Sequence, residues 1–163
     1  MKYGAKESYT VETGFKILNV VDGDGIILEN THTKEIIEFR LYGIDAPEVK
    51  RCRKLFEDEK KTHLPGQLLI ELGFKSMRYL KNIATVGMNC DVAFEEGSTT
   101  DFYNRRLAYI YIDNGISLNE IMIRDGYAKP MSEYYCSKLH HYQRLNFAAK
   151  RAKKGLYSLT DLF

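Results

Sequence analysis

The sequence lacks any cysteine pattern that would indicate a disulfide framework or a zinc site. Its three cysteines, Cys52, Cys90 and Cys136, are odd in number and widely spaced, and none belongs to a Cys-x-x-Cys pair. Disulfide-rich domains and structural zinc sites both depend on closely and regularly spaced ligands. We therefore predict three unbridged thiols, either free or buried.

A long hydrophobic segment is also missing. No apolar run approaches the roughly 20 residues that a membrane-spanning helix needs. Residues 1–7 contain no apolar region of the kind found in signal peptides. We therefore expect no membrane partner. We expect a secreted protein if a signal peptide has been removed, and a cytoplasmic protein otherwise.

The sequence has no strong excess of one charge. Its 163 residues have a formal net charge of +2 and a pI near 8.3, whereas strongly basic nucleic-acid-binding domains exceed a pI of about 9. Any site for a polyanion must therefore come from local placement of arginine and lysine. The length and the composition, 44% hydrophobic and 28% charged, are typical of one globular domain, which we expect to be monomeric.

Hydrophobic periodicity predicts five strands and three helices. Ile37, Phe39 and Leu41 alternate with Glu38 and Arg40, which is the period of a strand with one buried face. The predicted strands are residues 15–21, 26–28, 34–42, 88–94 and 106–112, and the predicted helices are residues 67–83, 117–126 and 135–154.

These elements favour an α+β fold with a mainly β core. A five-stranded oligonucleotide/oligosaccharide-binding (OB) barrel with three packed helices has this strand count. The charged segment 49–65 is predicted as a solvent-exposed loop, and residues 1–14 as an N-terminal arm. Asn114-Gly115 is typical of a hairpin turn.

Acidic residues occur in two loops that follow predicted strands. One loop is Asp22-Gly23-Asp24-Gly25, and Asp45 lies in the other. Taken alone, the first motif is more typical of a simple turn, because Asp and Gly favour turns for reasons unrelated to metals. Taken together, Asp24 and Asp45 with a backbone carbonyl and waters would supply the oxygen ligands that Ca²⁺ and Mg²⁺ prefer.

Two arginines and a glutamate add the groups that phosphate chemistry needs. Arg40 and Arg105 are either surface ion-pair partners or a clamp on phosphate oxygens, which arginine binds through two parallel hydrogen bonds. Glu48 is either one more surface acid or a base that accepts a proton from an attacking water. Each residue is weak as a signal by itself, and the combination points to phosphodiester hydrolysis.

The order and spacing of these residues resemble the staphylococcal nuclease (thermonuclease) family. The matching segments are Asp22-Gly23-Asp24, Phe39-Arg40-Leu41 through Asp45-Ala46-Pro47-Glu48, and Thr100-Asp101 with Tyr103, Arg105 and residues 107–111. The resemblance covers residues 15–157 and implies one nuclease domain with the barrel described above. Residues 158–163 would then be a C-terminal tail.

The resemblance implies a calcium site. Its implied ligands are Asp24, Asp45 and the main-chain carbonyl of Ala46, with Asp22 as a further acid near the metal. Gly25 stands where the family commonly has threonine, which we expect to loosen the metal loop.

The resemblance also implies catalytic and substrate-binding residues. The implied catalytic residues are Arg40, Arg105 and Glu48, with Glu48 as general base. The implied nucleotide-pocket residues are Tyr103, Tyr134 and Tyr135. Packing at the start of the last helix is an equal alternative for Tyr134 and Tyr135.

The function that the resemblance implies is a calcium-dependent nuclease acting on DNA, RNA or both. The main alternative is a non-catalytic nucleic-acid- or protein-binding module on the same barrel, and a calcium-stabilised structural domain is a third. A binding module has no need to retain both arginines, Glu48 and both metal aspartates. The presence of all five therefore favours the enzyme.

Overall fold

A computed structural model describes residues 9–97, 100–101 and 103–163, so residues 1–8 of the predicted arm lie outside the described residues. The described chain consists of strands, α-helices and two 3₁₀ turns, Asp113–Gly115 and Gly155–Ser158. The strands are β1 Tyr9–Val20, β2 Gly25–Asn30, β3 Ile36–Leu41, β4 Ile44–Asp45, β5 Asn89–Glu95, β6 Arg106–Ile112, β7 Ile116–Ser117 and β8 Lys129–Pro130. The α-helices are α1 Arg53–Thr62, α2 Gly66–Ile83, α3 Leu118–Arg124 and α4 Leu139–Arg151.

Five of the strands close into a mixed barrel. Their order is β3-β2-β1-β5-β6 with antiparallel neighbours. Strand β6 then returns to β3 in parallel, with Phe39 opposite Arg106 and Arg40 opposite Leu107. The predicted α+β class with a five-stranded OB-type barrel is therefore confirmed. Strand β1 begins at Tyr9 rather than near residue 15.

The three predicted helices correspond to α2, α3 and α4. One face of α2, from Leu69 and Leu72 to Ser76 and Leu80, is buried, and Ile83 at the end of the helix is partly buried. Helix α4 begins at Leu139, a few residues later than its predicted start. None of the described helices is long and apolar enough to cross a membrane.

The segment 49–65 contains a further helix, α1, so its prediction as a solvent-exposed loop was wrong. Leu55, Asp58 and Thr62 are the buried residues of this helix. Because two of the three are polar, the buried face of this helix does not stand out as an apolar stripe in the sequence. Leu55 packs with Leu69 and other residues into a second small core outside the barrel.

The chain end also packs on this second core. Phe163 is 3% exposed, and its ring lies 4.8 Å from the ring of Tyr157. The ammonium group of Lys129 donates to the carbonyl oxygen of Phe163 at 2.6 Å. Residues 158–163, predicted as a tail, thus end in a buried aromatic side chain.

Helix α2 lies against both loops that contain the acidic residues. A Cβ atom on Gly73 would lie 2.3 Å from the carbonyl oxygen of Glu48. A Cβ atom on Gly23 would lie 2.6 Å from the Cβ of Ser76 and 2.6 Å from that of Ala46. These separations are shorter than any van der Waals contact, so glycine is required at both positions. The close approach fixes the loops 22–25 and 45–48 relative to each other.

We expect Gly73→Ala to destabilise the protein, although alanine favours a helix interior over glycine by about 1 kcal/mol. The added methyl group would overlap the Glu48 carbonyl, and overpacking of this kind costs roughly 1–3 kcal/mol. Urea unfolding would measure the loss, with Lys75→Ala on the exposed side of the same helix as the matched control. A gain in stability for Gly73→Ala would contradict the contact.

Candidate active site

The barrel brings Asp24 and Asp45 to one place. Asp24 precedes β2, and the backbone N–H of Leu41 on β3 donates to its carbonyl oxygen at 2.8 Å. Asp45 ends β4, where it pairs with Lys129 of β8. The guanidinium of Arg40 links the two carboxylates, because its Nη2 lies 3.5 Å from Asp24 Oδ2 and 3.4 Å from Asp45 Oδ1. Three of the predicted site residues therefore form one cluster.

Burial dominates the electrostatics of Asp24, which is 5% exposed. Burial raises the pKa of Asp24 to about 6, against the opposing charge of Arg40, and the neighbouring Asp22 raises it further. The backbone N–H of Ala46 donates to Asp24 Oδ2 at 3.0 Å and favours the ionised form. Asp22 and Ala46 thus both lie beside Asp24.

Asp45 and Glu48 also ionise less readily than in water. Burial raises the pKa of Asp45, with Lys54 as the strongest opposing charge. Burial likewise raises the pKa of the half-buried Glu48, again opposed first by Lys54. The Lys54 ammonium lies 3.1 Å from Asp45 Oδ1 and 3.5 Å from Glu48 Oε1. Glu48 is therefore connected to the cluster through Lys54.

Lys54 is a site residue that the sequence analysis missed. It belongs to the first turn of α1, and its closest partner is Asp58 on the next turn, with Nζ 2.9 Å from Oδ2. Burial alone would lower the pKa of Lys54, but Asp45, Asp58 and Glu48 outweigh it and raise that pKa. The four-residue spacing of Lys54 and Asp58 is a signal in the sequence, although it applies only once the segment is known to be helical.

Arg105 lies just before β6, beside the cluster rather than within it. Its Nε donates to Asp101 Oδ2 at 2.8 Å, and its Nη1 lies 3.9 Å from Glu38 Oε1 on β3. Among the described residues it has no ion pair with Asp24, Asp45 or Glu48.

Asp101 organises the turn that presents Arg105. Its Oδ1 accepts the backbone N–H groups of Tyr103 and Arg105 at 3.0 and 2.9 Å. Asn104 has a left-handed φ of 63°, which asparagine tolerates better than most residues. The charge of Asp101 also raises the pKa of Arg40. Asp101 thus connects the two arginines electrostatically.

The three predicted pocket tyrosines occupy different environments. Tyr103 is 76% exposed, and the Arg105 guanidinium lies 5.6 Å from its ring centroid. Tyr134 stacks on Tyr42, with ring centroids 5.2 Å apart. Burial raises the pKa of Tyr134 to about 12, against the opposing charge of Arg40. Tyr135 is 76% exposed, and its carbonyl oxygen accepts the Tyr42 hydroxyl.

The donor chemistry of the cluster fits a hard cation. Asp24 and Asp45 offer buried carboxylate oxygens, and their ion pairs with Arg40 use only one oxygen of each. Within residues 9–97, 100–101 and 103–163, no three His, Cys, Asp or Glu side chains are grouped to hold a metal ion. A cation here would therefore need backbone carbonyls, water or substrate as further ligands, as Ca²⁺ and Mg²⁺ commonly use.

Several known proteins are similar to this chain over most of its length. An uncharacterized protein of Methanocaldococcus jannaschii is 32% identical over 157 residues, covering 90% of this chain and 72% of that protein. Thermonuclease of Staphylococcus hyicus is 25% identical over 144 residues, covering 88% of this chain and 73% of the relative. Endonuclease YhcR of Bacillus subtilis is 28% identical over 146 residues, covering 87% of this chain and only 11% of that protein.

The family model described as "Staphylococcal nuclease homologue" matches residues 38–159. That range includes Arg40, Asp45, Glu48 and Arg105, and it extends through α4. The chain belongs to the staphylococcal nuclease homologue family.

Proposed function

We propose that this protein is a metal-dependent nuclease that hydrolyses phosphodiester bonds in DNA or RNA. The observation that supports it most is the cluster in which Arg40 contacts two buried carboxylates while Lys54 joins one of them to Glu48. The names of two relatives, an endonuclease and a thermonuclease, agree with the proposal.

We propose Ca²⁺ as the cofactor. Asp24, Asp45 and the main-chain carbonyl of Ala46 would hold it, and Asp22 would add negative charge nearby. A bound divalent cation supplies Lewis-acid polarisation of a phosphate oxygen. Support comes from the two carboxylates that Arg40 brings together. Burial raises the pKa of both Asp24 and Asp45, and a bound cation would offset that effect of burial.

Glu48 is proposed to accept the proton of the attacking water. A general base works best when its pKa approaches the operating pH, and burial raises the pKa of Glu48 from its usual value. Its backbone is held against Gly73 of α2, so the carboxylate projects from a fixed loop.

Arg40 and Arg105 are proposed to bind non-bridging phosphate oxygens and to stabilise the charge that develops on them. Burial alone would lower the pKa of Arg40, but Asp24 and Asp45 raise it, so its guanidinium stays charged. Donors aimed at developing charge in a partly dry site are worth more than the same donors in water.

The tyrosines are proposed to contact the nucleotide. Tyr103 presents an exposed ring beside Arg105, and base–aromatic stacking is tolerant of sequence. Tyr134 would contact the nucleotide from its position near Arg40. Tyr135 would contribute through its exposed ring.

The decisive assay is digestion of denatured and duplex DNA, and of RNA, with Ca²⁺ and with excess chelator. We expect cleavage with Ca²⁺ and its loss with chelator, because the two aspartates would then lack their cation. Binding of the nucleic acid without cleavage in Ca²⁺, Mg²⁺ or Mn²⁺ would instead identify a non-catalytic module.

We expect Glu48→Gln to lower the turnover number by roughly 10²–10⁴-fold, since it removes the base but keeps the side-chain shape. Single-turnover cleavage of a defined oligonucleotide would measure the loss. Glu71→Gln, on the exposed side of α2, should cleave like the wild type. Unaltered cleavage by Glu48→Gln would remove Glu48 from the mechanism.

We expect Arg105→Ala to lower turnover by roughly 10²–10³-fold, because one donor to the developing phosphate charge is lost. The melting temperature should fall modestly, because the ion pair of Arg105 with Asp101 is largely buried and its loss leaves Asp101 without a cation. Arg78→Ala on the exposed side of α2 is the matched control. A large loss of stability with normal turnover would show that Arg105 has a structural role.

A further inference from the structure

The ammonium group of Lys54 lies among three carboxylates, two from the loop 45–48 and one from its own helix, α1. Its Nζ is 2.9 Å from Asp58 Oδ2, 3.1 Å from Asp45 Oδ1 and 3.5 Å from Glu48 Oε1. The side chain is 28% exposed, whereas those of Asp45 and Asp58 are 8% and 10% exposed. Lys54 is therefore the more exposed member of its ion pairs with Asp45 and Asp58.

Lys54 lies within ion-pair distance of Asp45, where a divalent cation held by the same carboxylate would also lie. Asp45 Oδ1 already accepts both Lys54 and Arg40. A divalent ion on the same carboxylate would lie within a few ångströms of the ammonium, where like charges repel strongly because solvent screening is weak. The Lys54 ammonium and the divalent ion therefore cannot both occupy their most favourable positions at Asp45.

The local structure offers Lys54 a second position. Helix α1 is anchored by the fully buried Leu55, so the backbone at Lys54 is fixed. The flexible four-carbon side chain can leave Asp45 and Glu48 by rotation and stay paired with Asp58, which is its closest partner and lies one helical turn away.

We propose that Lys54 is an internal counter-cation that competes with the divalent cation for Asp45. In the metal-free protein Lys54 neutralises Asp45 and Glu48. When the cation binds, Lys54 withdraws to Asp58, and Glu48 is released to face the water it activates. Lys54 thereby sets the metal affinity and couples cation binding to exposure of the base. This inference rests on the proposed function in its assignment of Asp45 as a metal ligand and, for the release of the base, in its assignment of Glu48.

Calorimetric titration of Ca²⁺ into the full chain tests the proposal without any substrate. Lys54→Met keeps the length of the side chain and removes its charge, so we expect it to bind Ca²⁺ about tenfold more tightly or better than the wild type. Lys60→Met, on the exposed side of the same helix, should bind like the wild type. In chelator, Lys54→Met should melt at a lower temperature than the wild type. The difference between the two melting temperatures should be smaller in Ca²⁺.

Asp58→Asn tests the second position of Lys54 in a separate variant. The proposal can therefore still be judged if Lys54→Met folds incompletely. Without Asp58, Lys54 stays on Asp45 and Glu48, so Ca²⁺ should bind more weakly than in the wild type. When Lys54 is already replaced by Met, Asp58→Asn should leave the Ca²⁺ affinity unchanged. This coupling is expected when two residues act through one contact.

Equal or weaker Ca²⁺ binding by Lys54→Met would overturn the proposal, and so would no binding in any of the proteins. The nuclease proposal is judged separately by the digestion assay. Cleavage that survives chelator would leave a nuclease without this cation site, whereas Ca²⁺ binding without cleavage would leave the Lys54 competition intact in a non-catalytic protein.

Discussion

The pairing of one guanidinium with two buried carboxylates is the interaction on which the rest of the site depends. A buried carboxylate is strongly unfavourable unless it is paired and hydrogen-bonded. Arg40 contacts Asp24 from one loop and Asp45 from another. Movement of either loop would therefore expose a carboxylate to water or leave it buried without its ion pair. A lysine could not replace Arg40 here, because a single ammonium lacks the planar, forked arrangement of donors.

The fold supplies a rigid frame for that pairing. Closure of β3 on β6 fixes the strand that carries Arg40. The close approach at Gly73 fixes the loop that carries Glu48. The buried Asn119 accepts the N–H of Ile110 and donates to the carbonyls of Tyr42 and Ala108, each at 3.0 Å. These contacts involve the backbone, so they position the loops independently of which side chains the loops present.

The sequence predicted the barrel and the main cluster because the signals there are local. The alternation in β3 placed Arg40 opposite the buried face, and the spacing of Asp24, Asp45 and Glu48 matched a family pattern. It did not predict α1, because that helix buries Leu55 together with the polar Asp58 and Thr62 and so shows no apolar stripe. The partnership of Lys54 with the cluster depends on that helix and was missed with it. No local pattern could have indicated it, since tertiary contacts decide which charged face of α1 is buried.

The charge balance of the cluster explains why such a site would bind a cation before it binds a phosphate. Four carboxylates, those of Asp24, Asp45, Glu48 and Asp58, contact two cations, Arg40 and Lys54. Asp22 acts on Asp24 and Lys129 acts on Asp45 from close by, so five carboxylates face three cations. The raised pKa values of Asp24, Asp45 and Glu48 follow from burial with incomplete compensation. A polyanion approaching this surplus of negative charge would be repelled until more positive charge is present. A divalent cation would offset the surplus, and Arg105 at the rim would then add positive charge to a locally balanced site. On the proposed function, the same carboxylates that make the metal-free cluster costly to bury would thus make phosphate recognition conditional on the cation.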